Sequence, residues 1–259
     1  MDINWIYNHY EKFISLFIVG CIITLSGCDM SHKQKNTNVI HFATAGEYPP
    51  FEYQEHGKLK GFDIDLAKLV AKELGKEAVF DNIQFACILP ALTSGRVDAA
   101  ISTITITEER NKNFDFTMPY YFEGMAVVFK KTRPMSSVSD LEGKIIAAQL
   151  GSTMEIWLKH HSFAENLVTM DNNNQAIEAL KAGHVDGVLM DGAQGAIFSQ
   201  KNEGLSYAII AKAEKGYGIA FKKHSPLRAQ INRILNSLKE KGELAKLQKR
   251  WLENRSWKN

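Results

Sequence analysis

SGRVDAAISTITITEER, residues 94–110, contains in order a helix end, a buried strand, a turn rich in hydroxyl groups and an arginine. Gly95 predicts a helix C-terminus, because glycine tolerates the left-handed conformation that a C-cap needs. Residues 97–101 form an apolar run of strand length. Polar groups follow at the carboxyl end of this strand: Ser102, Thr103, Thr105 and then Arg110. This order predicts a helix, a strand and a polar loop of an α/β protein.

The polar groups of this segment suit a small carboxylate ligand. Hydroxyl groups, free backbone N–H groups and a guanidinium are the donors from which a carboxylate accepts hydrogen bonds. The plainer interpretation is a polar loop with an exposed arginine. The segment by itself leaves both interpretations open.

A second segment repeats the pattern later in the chain. Residues 94–99, SGRVDA, are similar to residues 182–187, AGHVDG. Each contains a helix cap followed by a strand, and the strands end in Ser102 and Asp191 respectively. Ligands bind beyond the carboxyl ends of strands in open α/β sheets, and in clefts between lobes. Two similar α/β lobes would place these strand ends on facing sides of a ligand cleft. Such helix–glycine–strand units also recur in other α/β proteins, so the repeat alone leaves both interpretations open.

Length and composition agree with this architecture. The chain has 259 residues and a formal net charge of +2, which is enough for one large or two small domains. The near-neutral charge gives no sign of a nucleic-acid partner. The eight histidines and three cysteines show no metal-ligand spacing, and no phosphate loop or Ser–His–Asp arrangement is recognisable. We therefore expect no metal, no cofactor and no catalytic residue.

The amino terminus predicts export and lipidation. Residues 13–25, FISLFIVGCIITL, form an apolar run of signal-peptide length, short for a membrane span. It ends in LSGC, residues 25–28, which resembles the bacterial lipobox, whose cysteine is lipidated and becomes the first mature residue. A signal peptide over residues 1–27 and a lipidated Cys28 with a tether over residues 28–38 are expected. A plain signal peptide or a short anchor helix is the alternative.

Two further expectations follow from this lipidation. Asp29 resembles the signal that retains lipoproteins in the inner membrane of enteric bacteria, so the predicted location is the periplasmic side of that membrane. Cys21 would be removed with the signal peptide, and Cys87 would then be the single free cysteine, which excludes an internal disulfide. Cys87 lies in the apolar run ACILPAL and is expected to be a small core residue.

Strand and helix patterns alternate along most of the remaining chain, which favours parallel sheets covered by helices. Apolar runs predict strands at residues 39–43, 78–80, 145–148 and 185–190. Periodicity predicts a helix from Asp63 as N-cap to Gly75, helices at residues 88–93, 154–161 and 176–182, and a helix from Pro226 onward. The prolines of GEYPPF, residues 46–51, predict a loop.

Six motifs occur in a characteristic order: the lipobox, GEYPPF, GFDIDLAKLVAKELG at residues 61–75, the segment 94–110, PYY at 119–121 and QLGST at 149–153. With them the chain resembles the extracytoplasmic solute-binding proteins of polar amino-acid ABC transporters. This family includes lysine/arginine/ornithine, histidine, glutamine and arginine binders. The resemblance covers nearly all of residues 39–251.

The resemblance implies an α/β, two-lobed, type II periplasmic-binding-protein fold, with two parallel-rich sheets joined by two crossing strands near residues 124–130 and 216–221. The first lobe would comprise residues 39–123 plus 222–259, and the second residues 124–221. A monomer is expected. Its ligand would be a free L-amino acid, and its partners the membrane permease and ATPase subunits of an ABC importer.

The resemblance also assigns ligand-binding residues. Arg110 matches the arginine that holds the ligand α-carboxylate, which suits a bidentate guanidinium. Asp191 matches the aspartate that pairs with the α-ammonium, and Thr153 matches a backbone N–H donor at a helix start. The other matched positions are hydroxyl or polar contacts at Ser102, Thr103 and Thr105, and aromatic walls for the ligand side chain at Tyr48 and Phe85.

The charges agree with this assignment on physical grounds. A zwitterion removed from water needs opposite charges and hydrogen bonds to offset desolvation. Arg110 and Asp191 would supply these charges from different lobes. The ligand would therefore bridge the lobes and favour their closed state.

The resemblance defines the side-chain half of the site less well. Many relatives carry an acidic residue three positions before the first aromatic, where this chain has Ala45. Glu47, Glu52 and Gln149 are the candidates to meet side-chain donors, although strand alternation indicates that Glu47 points away from the cleft. Arginine is the first expectation, because two aromatic faces favour a planar cation. Glutamine, histidine and lysine stay open.

Two other function classes stay open. Periplasmic cyclohexadienyl dehydratases share the fold and eliminate water and carbon dioxide from arogenate or prephenate, which needs a general acid in the cleft. Glu47 is the candidate for that acid, but an ammonium partner at Asp191 favours amino-acid binding, so no enzyme activity is expected. The third class is the sensor domain of a receptor kinase, which would need a separate membrane-bound partner.

Overall fold

The computed structural model describes residues 38–161, 166–212 and 215–253. The predicted signal peptide over residues 1–27, the lipidated Cys28 and the tether up to residue 37 lie outside these ranges. Within them, no helix combines the length and the apolar character needed to cross a membrane.

Strands and helices alternate as the sequence predicts. The strands are β1 Val39–Thr44, β2 Glu47–Tyr48, β3 Glu52–Glu55, β4 Lys58–Lys60, β5 Glu77–Asn82, β6 Ala99–Ala100, β7 Phe114–Phe116, β8 Met125–Lys130, β9 Ile146–Gln149, β10 Leu167–Met170, β11 Gly187–Asp191, β12 Leu205–Ala211 and β13 Ala220–Lys222. The α-helices are α1 Phe62–Glu73, α2 Ile88–Thr93, α3 Glu108–Asn113, α4 Thr153–His160, α5 Asn173–Ala182, α6 Gly192–Lys201, α7 Pro226–Glu240 and α8 Glu243–Gln248.

Two five-stranded sheets share one topology. The first has the order β5-β1-β6-β13-β7 and the second β10-β9-β11-β8-β12. In both, the first three strands are parallel and the fourth is antiparallel to its two neighbours. The repeated segments of the sequence, residues 94–99 and 182–187, lead into β6 and β11, the third strand of each sheet. A third, smaller sheet is antiparallel and has the order β2-β3-β4.

Strand alternation gives the first sheet two covered faces. Phe42 and Phe221 belong to one buried cluster, which includes apolar residues of α1, α7 and α8. Their strand neighbours Ala43 and Ala220 belong to a second cluster with residues of α2. Because successive side chains of a strand point to opposite faces, the sheet lies between two helical layers. This sheet with its helices is called the first lobe below.

The second sheet is covered in the same way. Val128 and Val188 pack in one cluster with α5 and α6, whereas Val127 and Leu189 pack in another with α4. Near-continuous apolar strands are typical of sheets buried on both faces. This sheet with its helices is called the second lobe. The two α/β lobes confirm the predicted fold class.

Two connecting segments join the lobes, and they lie next to each other. The chain leaves β7 for β8 and returns from β12 to β13. Where the connections meet, Tyr120 N donates to Tyr217 O at 2.9 Å and Tyr217 N donates to Tyr121 O at 2.8 Å. The predicted crossing near residues 124–130 falls largely on β8, which pairs within the second sheet. The predicted crossing near residues 216–221 ends in β13 of the first sheet.

The C-terminal helices pack on the first lobe. Helix α7 buries Ile231, Leu235 and Leu238 in the same cluster as Phe42. This stripe at helical spacing is the periodicity that the sequence shows from Pro226 onward. Truncating one of these buried leucines to alanine costs about 2–5 kcal/mol of stability in comparable cores.

Three local predictions are wrong. Helix α1 begins at Phe62 after Gly61, and Asp63 is a buried residue of its first turn rather than its N-cap. Cys87 is exposed rather than in the core, because it ends the short 3₁₀ turn Phe85–Cys87 while α2 buries Ile88 and Leu92 behind it. The predicted strand over residues 97–101 is reduced to β6, Ala99–Ala100.

Candidate functional site

A cleft between the lobes brings the predicted ligand-binding residues together. It holds about 450 Å³ of atom-free space, partly open to solvent. Ten predicted residues line it: Glu47, Tyr48, Glu52, Phe85, Thr103, Thr105, Arg110, Gln149, Thr153 and Asp191. Six lining residues were not among the predicted ones: Ala45, Ser152, Met154, Asn173, Leu189 and Met190.

Arg110 enters the cleft from α3. Thr107 caps this helix by accepting a hydrogen bond from Arg110 N at 3.1 Å, as a threonine N-cap does. The guanidinium donates from Nη1 to Thr105 O at 2.8 Å and from Nη2 to Gly151 O of the second lobe at 2.9 Å. Burial lowers the pKa of Arg110 to about 10, which Asp191 partly opposes. Arg110 is therefore a cation at neutral pH.

The start of α4 faces Arg110 across the cleft. Ser152 caps the helix by accepting from Glu155 N at 3.2 Å, and Glu155 Oε2 accepts from Gly151 N at 2.7 Å. Gly151 has φ +78°, and a Cβ there would lie 3.3 Å from Ala86 Cα, so both conformation and space favour glycine. Thr153 Oγ1 lies 3.5 Å from Thr105 Oγ1. Hydroxyl groups of the two lobes thus meet beside the guanidinium.

Asp191 ends β11 and occupies the N-cap position of α6, yet its side chain makes no capping bond. Its Oδ2 instead accepts a hydrogen bond from the Tyr48 hydroxyl of the first lobe at 2.5 Å. Glu123, in the connection between lobes, lies beside the helix start, where a Cβ on Gly192 would be 2.8 Å from Glu123 Oε1. Glu123 also accepts a hydrogen bond from the backbone of Ala193 in the first turn of α6. Glu123 thus takes the place of a capping side chain, and Asp191 lines the cleft instead.

The environment of Asp191 raises its pKa to about 7. Burial is the main cause, and the nearby Glu123 adds to it, whereas the Tyr48 and Tyr217 hydroxyls and Arg110 oppose the rise. Near neutral pH the carboxyl is therefore close to half ionised. A cation bound against it would favour the carboxylate form.

Thr103 has an unusual backbone conformation that Asp63 holds in place. Its φ is +47°, in the left-handed region that costs a residue with a Cβ roughly 1–2 kcal/mol. Asp63 Oδ2 accepts from Thr103 N at 2.8 Å and from the Tyr120 hydroxyl at 2.8 Å. The buried carboxyl of the GFDIDL motif thereby fixes the loop that bears the Thr103 hydroxyl.

Ser102 and Glu52 form a buried pair at the wall of the cleft. The Ser102 hydroxyl donates to Glu52 Oε1 at 2.8 Å and accepts from Ala45 N at 3.1 Å. Burial and the neighbouring Asp63 hold the pKa of Glu52 well above its usual range, which favours the neutral acid over the carboxylate. Ser102, predicted as a pocket position, is not among the residues that line the cleft, because its hydroxyl is turned to Glu52.

Glu47 and Gln149 line a second part of the cleft, which is called the side-chain end below. The part around Arg110 and Asp191 is called the head-group end. Contrary to the prediction from alternation, Glu47 lines the cleft, since β2 has only two residues and alternation does not fix its direction. Gln149 Nε2 of the second lobe donates to Glu47 Oε1 at 3.3 Å and to Asp171 O at 3.2 Å. Partial burial and then Asp171 raise the pKa of Glu47.

Asn173 is one of the six lining residues that the sequence did not indicate. It is the first residue of α5, only 4% exposed, and its Oδ1 has no hydrogen-bond partner among the described residues. The available signal was the run of three asparagines at residues 172–174 before a helical pattern. One of them, Asn172, caps α5 by accepting from Gln175 N at 3.0 Å, so capping does not account for Asn173.

Comparisons with known proteins identify the family to which the chain is similar. Residues 40–254 match a family described as bacterial extracellular solute-binding proteins, family 3. The chain is 33% identical over 249 residues to the arginine-binding extracellular protein ArtP of Bacillus subtilis (strain 168), covering 93% of this chain and 98% of that protein. These matches confirm the family resemblance.

Solved structures confirm the fold. Two structures of an ancestral arginine-binding protein, one bound to arginine and one to glutamine, each superpose with a TM-score of 0.79 at 38% identity. Each match covers 83% of this chain and 98% of the other chain.

Proposed function

The chain belongs to the bacterial extracellular solute-binding proteins of family 3, and on that premise we propose that it captures a free basic amino acid for an ABC importer, with arginine as the preferred ligand. The observation that carries the proposal is the charge pattern of the cleft. Apart from Glu52, whose carboxyl is buried against Ser102, the charged side chains that line the cleft are one cation, Arg110, and two acids, Asp191 and Glu47. A basic amino acid carries the complementary three charges.

The head group accounts for two of these charges. The α-carboxylate binds Arg110 and the hydroxyl and N–H groups at the start of α4, since charge-assisted hydrogen bonds are shorter and stronger than neutral ones. The α-ammonium binds Asp191 and displaces the Tyr48 hydroxyl from its carboxylate. These contacts are common to all α-amino acids and do not select among them.

The third charge selects a cationic side chain. Glu47 lines the cleft and accepts a hydrogen bond from Gln149 of the second lobe. A neutral ligand would leave this partly buried acid without an opposite charge, which is unfavourable. Phe85 adds an aromatic wall that suits a guanidinium. Similarity to an arginine-binding relative and to an arginine-bound structure supports arginine.

Closure of the two lobes completes the site. Contacts that cross between the lobes include Tyr48 with Asp191, Arg110 with Gly151, Thr105 with Thr153, Gln149 with Glu47, and Gln194 with the Pro49 carbonyl. A ligand that replaces some of these contacts and adds its own favours the closed form by its differential affinity. In this proposal residues 39–123 plus 222–259 act as one body together with β13 of the first sheet, and the rest of residues 124–221 acts as the other.

The protein works in this proposal as a monomeric lipoprotein on the periplasmic side of the inner membrane. The lipobox at residues 25–28 supports lipidation of Cys28. Metabolic labelling with a fatty-acid probe tests it: Cys28→Ala should lose the label and leave the membrane fraction, and Cys21→Ala should keep both. A label that persists in Cys28→Ala contradicts the anchor.

A binding role is favoured over the dehydratase alternative because the family and the relatives above are described as binding proteins. The ammonium partner at Asp191 also argues against prephenate, which has no ammonium group, but does not distinguish arogenate from other amino acids. An assay of prephenate and arogenate with the purified protein checks this choice. Steady turnover of either compound would contradict the proposal.

A thermal-shift screen of the purified protein against the amino acids tests the function itself. A ligand at one hundred times its dissociation constant stabilises a protein by about 2.7 kcal/mol. Arginine should give the largest shift, followed by lysine, and Arg110→Ala and Asp191→Ala should each lose the shift for every amino acid. A shift by neutral amino acids but not by arginine would overturn the assignment.

A further inference from the structure

Asn173 lines the cleft and carries a side-chain acceptor without a partner in the described part of the chain. The residue is only 4% exposed, and its Oδ1 is itself buried. A buried polar atom without a partner is uncommon and unfavourable. Because Asn173 lines the cleft, a ligand is the group placed to satisfy this oxygen.

The residues around Asn173 indicate which kind of ligand group would donate a hydrogen bond to its Oδ1. Glu47 and Gln149 line the same cleft, and the Gln149 amide donates to both Glu47 and the Asp171 carbonyl. The Gln149 Nε2 donor is therefore engaged at this end, whereas carboxylate and amide oxygens of the first and second lobes remain as acceptors. The ligand group that fits has several N–H donors and a positive charge.

The N-terminus of α5 does not account for a cationic ligand group beside Asn173. A helix N-terminus carries partial positive charge and favours anions, and Asn172 already satisfies the free N–H of Gln175. The Asn173 oxygen, in contrast, is an acceptor and favours a donor. The helix N-terminus alone would favour an anionic ligand group, whereas the side-chain carbonyl of Asn173 favours a ligand group that donates hydrogen bonds.

We propose that Asn173 Oδ1 accepts a hydrogen bond from the ligand guanidinium and that this residue, together with Glu47, selects arginine over lysine. The inference rests on the proposed function and specifies its selectivity. A guanidinium presents five donors in a planar fork and can reach two separate acceptors, one in each lobe. A lysine ammonium is a compact charge that is satisfied by Glu47 and leaves Asn173 Oδ1 without a partner.

Titration calorimetry with arginine and lysine tests the role of Asn173 in the purified protein. Asn173→Leu keeps the approximate shape and removes the acceptor. Arginine affinity should fall by about tenfold or more, as expected for the loss of a hydrogen bond to a charged group, and lysine affinity by less than about threefold. Asn174→Leu is the matched control, since Asn174 is an exposed neighbour on the same helix, and both affinities should stay unchanged.

The ratio of arginine to lysine affinity decides the outcome. An unchanged ratio in Asn173→Leu, including an equal weakening of both ligands, would overturn the inference while leaving the proposed function intact. Asn173→Asp keeps an acceptor oxygen and should keep the preference for arginine. If Asn173→Leu does not fold, Asn173→Ala is measured against Asn173→Asp by the same ratio. A wild-type protein that binds no basic amino acid would instead refute the proposed function.

Discussion

The two ends of the cleft differ in whether the protein satisfies the side chains that we assign to ligand binding. At the head-group end, Arg110 bonds Thr105 and Gly151 carbonyls, and Asp191 accepts from the Tyr48 hydroxyl. At the side-chain end, Asn173 Oδ1 has no partner within the described residues. The first end is preorganised and can hold any α-amino acid, whereas the second is completed by a particular ligand. Affinity is therefore expected from the first end and selectivity from the second.

Removing the cation at the head-group end should have the largest effect. Arg110→Ala should weaken every amino-acid ligand by about a hundredfold or more, because the ligand carboxylate loses a buried charge-assisted partner. Calorimetry with arginine, lysine and glutamine measures the loss. Lys112→Ala, an exposed cation on the same helix, is the control and should bind as the wild type. If Arg110→Ala weakened the binding of only one of the three amino acids, Arg110 would not be a contact common to all of them. The distinction between the two ends of the cleft would then fail.

The pH dependence of binding should come chiefly from Asp191. Its pKa is about 7 without ligand, and the bound ammonium favours the ionised form, so binding releases a proton below that pH. Affinity should thus fall by up to about tenfold for each pH unit below 7 and level off above it. Glu47, whose pKa is also raised, acts in the same direction for a cationic side chain.

Glutamine separates these two acids. It has the ammonium that needs Asp191 but no side-chain charge that needs Glu47. Its affinity, measured by calorimetry from pH 5 to 8 in buffers of different ionisation enthalpy, should still fall on acidification with release of a proton. Affinity that is independent of pH over this range would contradict the role of Asp191.

Truncating the aromatic wall should have the smallest effect. Phe85→Ala should weaken arginine by about three- to tenfold, the range of a partly exposed cation–π contact. Alanine, which has no side chain long enough to contact the ring, should bind unchanged. The order of ligands in the thermal-shift screen should therefore change without loss of binding. An equal effect on alanine and arginine would assign Phe85 to the head-group end.

Much of the fold was predictable because it depends on local patterns. The similarity of residues 94–99 to residues 182–187 anticipates the shared topology of the two sheets, since each segment leads into the third strand. Arg110 and Asp191 could be chosen because charges at strand and helix ends have recognisable spacing. The family resemblance then named the groups that a zwitterion needs.

The remaining features depend on partners that are distant in sequence. Asp63 looks like an N-cap locally, but its carboxyl bonds Tyr120, 57 positions away. Asp191 looks like an N-cap of α6, but its carboxyl bonds Tyr48, 143 positions away. Asn173 was missed because a run of asparagines before a helix is explained by capping alone. Only packing shows which side chain caps and which one faces the cleft.

The most direct test of the charge pattern is the affinity of the wild-type protein for arginine compared with citrulline. Citrulline has nearly the same shape as arginine but a neutral ureido group, so the comparison removes the side-chain charge alone. We predict that calorimetry at pH 7.5 gives arginine at least about tenfold tighter binding, and that Glu47→Gln reduces this advantage. Equal affinities for the two ligands in the wild-type protein would contradict the account.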